Sequence, residues 1–541
     1  MLHVTVFPRC TSLALLLAAF TLSPALAQQP GNCSIGQARE TLDVNNVSSC
    51  IANNGMLFGF VCPGTDYEVP KGSGLEAIFV GGLWVGGKAG SETRFAGATY
   101  SNYQFWPGPL DNTGRPVNPS DCSEYDRIFK VSQSDIDAYD GGATPAPDLA
   151  EWPADLGAPV IDGDGDPTNY DLAAGDRPNL QGGHQTLWWV MNDTGNFKSS
   201  SYQSVAIGVE VQMQAWAFSD PSKSHLQNTT FYRATILYKG SSTLDETVAS
   251  LWIDGDVGNS QDDFFGSDSV RALAYMYNGD VVDENGYGDL PAAIGATILD
   301  GFDTANGTDT GAYVATSYYA GAPASQGDPE NALEAFEYMN GRWRDASPIT
   351  FGGDGYDNSA TAGPMTRFLY SGTPPSGWSE VATGNPPVER AMVLSSGPVT
   401  MTNGDAQTIE FAVAFGRATT AGAGANVQAV TTLLSEVDAI RAFVATADEP
   451  GANAPAGLEL AVAPNPVANS ARLELTIQTP QPVTVNVFDP LGRRVAVLHD
   501  GPLTAGAHPF ELATSALAPG IYVVRAKTNA GTTSSRLTVA R

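Results

Sequence analysis

Residues 470–488 read SARLELTIQTPQPVTVNVF. Apolar side chains fall at Leu473, Leu475 and Ile477, then at Val483, Val485 and Val487, and a period of two puts them on one face of an extended strand with the residues between facing water. Val495 and Val497 continue the pattern, as do Tyr522, Val524 and Ala526. Turn-forming sequences separate the runs: Pro464-Asn465-Pro466, Asp489-Pro490-Leu491-Gly492-Arg493 and Ala518-Pro519-Gly520 supply the Pro and Gly that chain reversals need. Residues 458–541 are therefore expected to form a seven-stranded, immunoglobulin-like β-sandwich.

Taken in order, these motifs resemble the type A C-terminal sorting domain of the type IX secretion system of Bacteroidota and related bacteria. The matching positions are Pro464, Asn465 and Pro466, then Asp489, Leu491, Gly492 and Arg493, then Leu517, Gly520 and Tyr522, and a last strand reaching Arg541. The resemblance implies two partners, an outer-membrane translocon that reads the domain and a surface peptidase that removes it as cargo is anchored or released. It also implies passage through the inner membrane, then residence at the cell surface or outside the cell. The other end of the chain agrees. Arg9 precedes an apolar run from Leu13 to Phe20, and Ala25-Leu26-Ala27 has the small-x-small form of a signal peptidase site, so residues 1–27 are expected to be a signal peptide cleaved after Ala27. That run falls short of the roughly 20 residues a transmembrane helix needs, and no later stretch suggests a membrane span in the mature chain.

Export gives meaning to the cysteines. Cys10 leaves with the signal peptide, and Cys33, Cys50, Cys62 and Cys122 remain, enough for two disulfides in any of three connectivities. Zinc is the rival reading, but there is no C-x-x-C pair and no nearby histidine, as zinc sites usually require. The formal charge is -31 over 541 residues. A chain so acidic lacks the basic face that phosphate backbones demand, which removes nucleic acid as a partner. At 42% hydrophobic residues it can still build a core.

A linker at 446–457, rich in Ala, Pro and small polar residues, separates the sorting module from a body at 75–445, which a cysteine-bearing segment at 28–74 precedes. The body reads as mainly β, a large β-sandwich-type unit or two packed sandwiches with few helices. Val205, Ile207, Val209, Val211 and Met213 alternate as a strand with one wet face should. Asp328-Pro329 reads as a helix start, with Leu333, Phe336 and Met339 on one face, and residues 426–444 read as a second helix. Gly82-Leu83-Trp84-Val85-Gly86-Gly87, Trp188-Trp189 and Trp252-Ile253-Asp254-Gly255-Asp256 resemble, less specifically, a β-rich ectodomain that precedes the same sorting module in large secreted proteins. That resemblance implies no enzyme activity.

Two carboxylate groupings point to a hard cation, with calcium as the expected cofactor. Asp162, Asp164 and Asp166 alternate with Gly163 and Gly165, the spacing by which positions 1, 3 and 5 of a calcium loop converge. Ala173 stands where the closing glutamate of an EF-hand would be, so Asp171 or Asp176 must complete the shell. The second grouping is Asp254, Asp256, Asp262 and Asp263, joined by Asp268; carboxylates so crowded repel one another unless a cation or solvent intervenes. Catalytic signatures are missing: neither H-E-x-x-H nor G-x-S-x-G occurs. The adjacent Trp188 and Trp189 should face opposite sides of a strand, leaving one as a candidate platform for a glycan ligand. The reading that results is an exported β-sandwich protein with a structural, adhesive or binding role. The alternatives are an extracellular polysaccharide hydrolase using a carboxylate pair and a non-catalytic carbohydrate-binding protein.

Overall fold

Two large antiparallel sheets face one another across a shared core in the computed structural model. It describes residues 30–59, 62, 67–100, 102–163, 166, 169–198, 202–304, 309–319, 322–356, 363–447, 458–463, 467, 470–488, 494–514, 517, 520–528 and 531–539. The signal peptide with Ala27, Asp164, most of the linker, Pro464-Asn465-Pro466, Asp489, Leu491, Gly492 and Arg493 lie outside the described residues.

The first sheet has nine strands. Its main path runs Phe129–Ser132, Gln185–Asn192, Val209–Ala217, Thr229–Tyr238, Ala406–Arg417, Ala292–Asp300, Leu273–Asn278, Asp263–Asp268, and Trp106–Pro107 pairs onto Gln185–Asn192. The second has seven: Tyr313–Tyr319, Arg390–Met401, Leu244–Asp254, Val80–Ala89, Glu92–Thr99 and Asn102–Tyr103, with Met56–Phe58 paired onto Val80–Ala89. One apolar cluster takes side chains from both sheets, among them Trp84, Trp189, Met213, Tyr232, Trp252, Ile294, Val393 and Phe411. The two sheets thus share one apolar cluster. Segment 30–74 packs into that core through Leu42, Ile51, Met56 and Phe58.

Strand Val209–Ala217 departs from the expected pattern of one wet face. It begins at Val209 instead of Val205, and every residue except Gln212 is buried. Val209, Val211 and Met213 enter the shared core, while loops and a helix cover the other face. There the polar side chains are paired: Glu210 accepts from Lys239 Nζ at 2.6 Å and Leu110 N at 2.8 Å, and Gln214 donates to Asn179 O at 2.8 Å. Periodicity reports the inner face but cannot reveal that polar residues opposite will be covered and bonded.

The long helix Ala425–Ala447 lies where the spacing placed it and closes the outer face of the nine-stranded sheet, setting Ala429, Val430, Leu433, Val437 and Ile440 against Tyr275, Tyr277, Ala412 and Ala414. Gly416 permits the approach, since a Cβ there would stand 2.4 Å from the backbone of Leu433. The shorter helix is Ala332–Met339, capped by Asn331, whose side chain accepts from Glu334 N, so Asp328-Pro329 is not its start. The stripe moves accordingly: Ala332, Ala335, Phe336 and Met339 are buried, and Leu333 is 51% exposed.

In the sorting module seven strands divide into a sheet of three, Glu459–Ala463, Ser470–Ile477 and Gly506–Ala513, and a sheet of four, Arg494–Leu503, Gln481–Phe488, Gly520–Thr528 and Gly531–Val539. Leu473, Leu475, Ile477, Val483, Val485, Val487, Leu517, Tyr522 and Val524 share its core. Val495 and Val497 do not; the latter is 52% exposed, and Ala496 and Leu498 turn inward instead. All four consecutive residues are apolar, so a period of two could not choose between faces. Register shifts in the pairing with Gln481–Phe488 settle the choice.

Two disulfides form, Cys33–Cys122 and Cys50–Cys62. The first closes a separation of 89 residues, which by chain entropy alone constrains the unfolded state by about 4–5 kcal/mol. A buried clasp ties the two sheets together. Asp193 accepts from the N–H groups of Ile207, Gly208 and Val209 at 2.6, 2.9 and 2.9 Å and from Lys198 Nζ at 3.0 Å, and Lys198 Nζ also donates to Phe95 O in the opposite sheet. Burial lowers the Lys198 pKa, against the pull of Asp193.

Without reductant, mass spectrometry after alkylation should find Cys33, Cys50, Cys62 and Cys122 unmodified; label at two or more of them would contradict the pairing. Asp193→Ala strands a buried ammonium and three N–H donors, and should lower the stability of the body by about 3–5 kcal/mol in urea unfolding of the mature protein.

Candidate functional site

Strand Leu244–Asp254 belongs to the seven-stranded sheet and Asp263–Asp268 to the nine-stranded one, so residues 255–262 carry the chain across one end of the sandwich. That crossing gathers Asp254, Asp256, Asp262 and Asp263, and the turn after strand Leu273–Asn278 adds Asp280, Asp283 and Glu284. The carboxylate oxygens of Asp262, Asp280 and Glu284 lie within 4.8 Å of one another. Asp268, at the far end of its strand, is apart from them and pairs with Arg271 at 2.5 Å.

Backbone N–H groups place Asp263, Asp280 and Asp283, and a tyrosine hydroxyl places Asp254. Tyr100 Oη donates to Asp254 Oδ2 at 2.8 Å, and Val257 N donates to Asp263 Oδ2 at 3.0 Å. Asp283 is a buried turn-former that accepts from Asn259 N at 3.1 Å and Tyr287 N at 2.6 Å. Gly258, at φ +83°, leaves room for it, because a Cβ there would stand 2.0 Å from Asp283 Oδ2. Asp280 accepts from Val282 N at 2.9 Å. Asp263 and Asn278 are register partners across the strand pair, and both are fully buried.

Among the described residues, few donors balance these groups. Burial, then Asp256, pushes the Asp254 carboxyl up to about 8; burial, then Glu389, pushes Asp256 up to about 7; burial, then Asp283 and Asp280, pushes Asp262 up to about 7. Burial raises Asp263 and Asp283 as well. None of the leading influences on these five is a lysine or arginine. The nearby Arg390 is engaged elsewhere, in a buried pair with Glu380 at 2.8 Å. Asp262 Oδ1, Asp263 Oδ1 and Asn278 Oδ1 are buried and accept no hydrogen bond, a condition that costs about 1–3 kcal/mol per group.

The other acidic loop is built differently. Asp176, 1% exposed, accepts from Gly163 N at 2.9 Å and Asp171 N at 2.7 Å, and Asp171 accepts from Ala173 N at 2.9 Å. Both residues named to close a shell around Asp162 and Asp166 hold the loop by backbone bonds. Asp280, Asp283 and Glu284 escaped the sequence reading, although Asp280-x-x-Asp283-Glu284 ahead of Asn285-Gly286 is a carboxylate-rich turn that could have flagged them.

The structure also corrects the glycan platform. All nine tryptophans are buried: Trp189 lies in the shared core, and Trp188 under the layer of Ile136, Leu149 and Trp152. The recess beside Asp254, lined also by Tyr100, Tyr318, Asp328, Glu389 and Arg390, has a volume of about 100 Å³, below the roughly 300 Å³ at which ligand pockets begin. A larger hollow of about 590 Å³ has walls from the body, such as Asp303 and Glu410, and from the sorting module, such as Arg525 and Lys527. It exists only while the two are joined, and its charges pair, Lys527 with Asp303 at 2.6 Å and Arg233 with Glu410 at 2.5 Å.

Residues 461–540 match the family described as the secretion system C-terminal sorting domain. No curated protein matches the chain. Among solved structures, a polysaccharide lyase is similar with a TM-score of 0.16 and 11% identity, over 61% of this chain and 34% of that one. The dimeric latent PorU from Porphyromonas gingivalis is similar with a TM-score of 0.13 and 11% identity, over 66% and 31%. The chain spans about a third of the length of each, and likenesses at these scores bear on neither fold nor chemistry. The matched domain carries the address. The protein is exported by type IX secretion to the cell surface or the extracellular space, and no helix among the described residues is long and apolar enough to cross a membrane.

Proposed function

We propose that the body of this chain is a rigid β scaffold with a structural, adhesive or binding role outside the cell, delivered there by the module at 461–540. The observation that carries the reading is the combination of an export domain with a body whose tryptophans are all buried. Both large sheets are sealed by apolar packing on the inner face and by helix and loops outside, the build of a durable support rather than of a cleft. The two disulfides suit an oxidising exterior.

The hydrolase alternative needs two carboxylates about 5–10 Å apart in a cleft that admits a sugar. The Asp254 recess has the carboxylates and a raised acid but not the room. Glycan binding without catalysis would have to use aromatic rings other than tryptophan, such as the half-exposed Phe351 packed against Trp378 at 4.7 Å. A glycan array probed with the mature protein separates the two: specific binding favours the glycan reading, and none favours the structural one.

Deletion of residues 458–541 should leave a folded body held in the periplasm, because the module has its own core, separate from that of the body. Cell fractionation with an antibody against the body checks this. Truncated protein at normal levels on the surface would overturn the assignment of the address to the module.

A further inference from the structure

Three buried acceptor oxygens without donors, Asp262 Oδ1, Asp263 Oδ1 and Asn278 Oδ1, occur within one pair of strand ends. Asp263 and Asn278 are in register and neither is solvent-exposed. Asn278 Nδ2 donates to Asp280 O at 3.1 Å and, more weakly, to Asp280 Oδ1 at 3.4 Å, which sets its amide beside the Asp280 turn. The charged groups that bear on Asp263 are Asp262, Asp256 and Asp283, so its orphan oxygen sits among carboxylates. The orphans of Asp263 and Asn278 are an observation separate from the acidic cluster of Asp262, Asp280 and Glu284. The oxygens are buried and without a hydrogen-bond partner, and the charged groups that bear on Asp263 are all negative.

We infer that Asp262, Asp280 and Glu284 bind one hard divalent cation, Ca²⁺, over the buried oxygens of Asp263 and Asn278. Oxygen ligands on a single Ca²⁺ at about 2.3–2.6 Å stand no farther apart than about 4.6–5.2 Å, and the three carboxylates already lie within 4.8 Å of one another. Asp262 is half-buried, and Asp280 and Glu284 are exposed, which leaves the outer side open for the waters that complete a coordination number of 6–8. All the donors are oxygen, the set that suits a hard cation and not zinc. Mg²⁺ should bind more weakly, since it requires strict octahedral geometry and gives up its waters reluctantly.

The ion would fasten the turn 279–288 to the crossing 255–262, and so join the edge of the nine-stranded sheet to the end of strand Leu244–Asp254. Its role is structural, and the inference stands whether the scaffold binds a glycan or nothing.

The test is calorimetric titration of CaCl₂ into the mature protein stripped with chelator, beside the Asp280→Asn/Glu284→Gln double variant. Both substitutions fall on exposed side chains, and melting in chelator verifies that the variant folds like the parent. The parent should bind Ca²⁺ at least tenfold more tightly than Mg²⁺, the double variant should bind one ion fewer, and hydrogen exchange of the 279–288 amides should slow when Ca²⁺ is added. Asp162→Asn should leave this ion in place. Equal stoichiometry in parent and double variant, no binding by the parent at millimolar Ca²⁺, or slowed exchange at 162–176 with none at 279–288 would each overturn the inference.

Discussion

The architecture depends on how strand Leu244–Asp254 is held. It pairs with Val80–Ala89 on one side and Arg390–Met401 on the other, at the heart of the seven-stranded sheet, and Trp252 stacks on Trp84 from the neighbouring strand at 6.0 Å. Residues two apart share a face, so Asp254 leaves the strand on the same side as Trp252. Tyr100 touches both, with its ring edge-on to Trp252 at 5.2 Å and its hydroxyl on Asp254. The fixed strand thus aims a carboxyl into a poorly solvated end of the sandwich, and the next eight residues must cross to the other sheet over it. The acidic end follows from where that crossing has to run.

Elsewhere two buried carboxylates are held by cations and backbone donors together. Asp193 has a lysine and three N–H donors. Glu380 holds Arg390 through both oxygens and also accepts from Phe265 N, tying the short helix Glu380–Thr383 to a strand of each sheet. Buried charges generally require such partners. The buried oxygens of Asp262, Asp263 and Asn278 lack such donors and fall together at one pair of strand ends.

Address and body have separate cores. The sorting module has an apolar core of its own, from Leu458 to Val539, and the body closes its sandwich without it. Export therefore says where the body works and leaves its chemistry to be argued from the body.

From the sequence alone came whatever depends on neighbours along the chain. Alternation at Leu473, Leu475 and Ile477, the helical spacing that ends in Ile440 and the ordered turn motifs of the sorting domain are local signals, and local signals fix strand, helix and address. Register and cover are not local. Val495 and Val497 face out because bulges set the pairing of their strand, and Glu210 and Gln214 are buried because distant segments close over them. The carboxylates show the same division: Asp254, Asp256, Asp262 and Asp263 announce themselves as a run, but only strand pairing brings Asp280 and Glu284 to Asp262. Chain proximity suggested calcium at two loops. Both loops give backbone N–H groups to some of their carboxylates, and beside the second the buried oxygens of Asp262, Asp263 and Asn278 are left without donors.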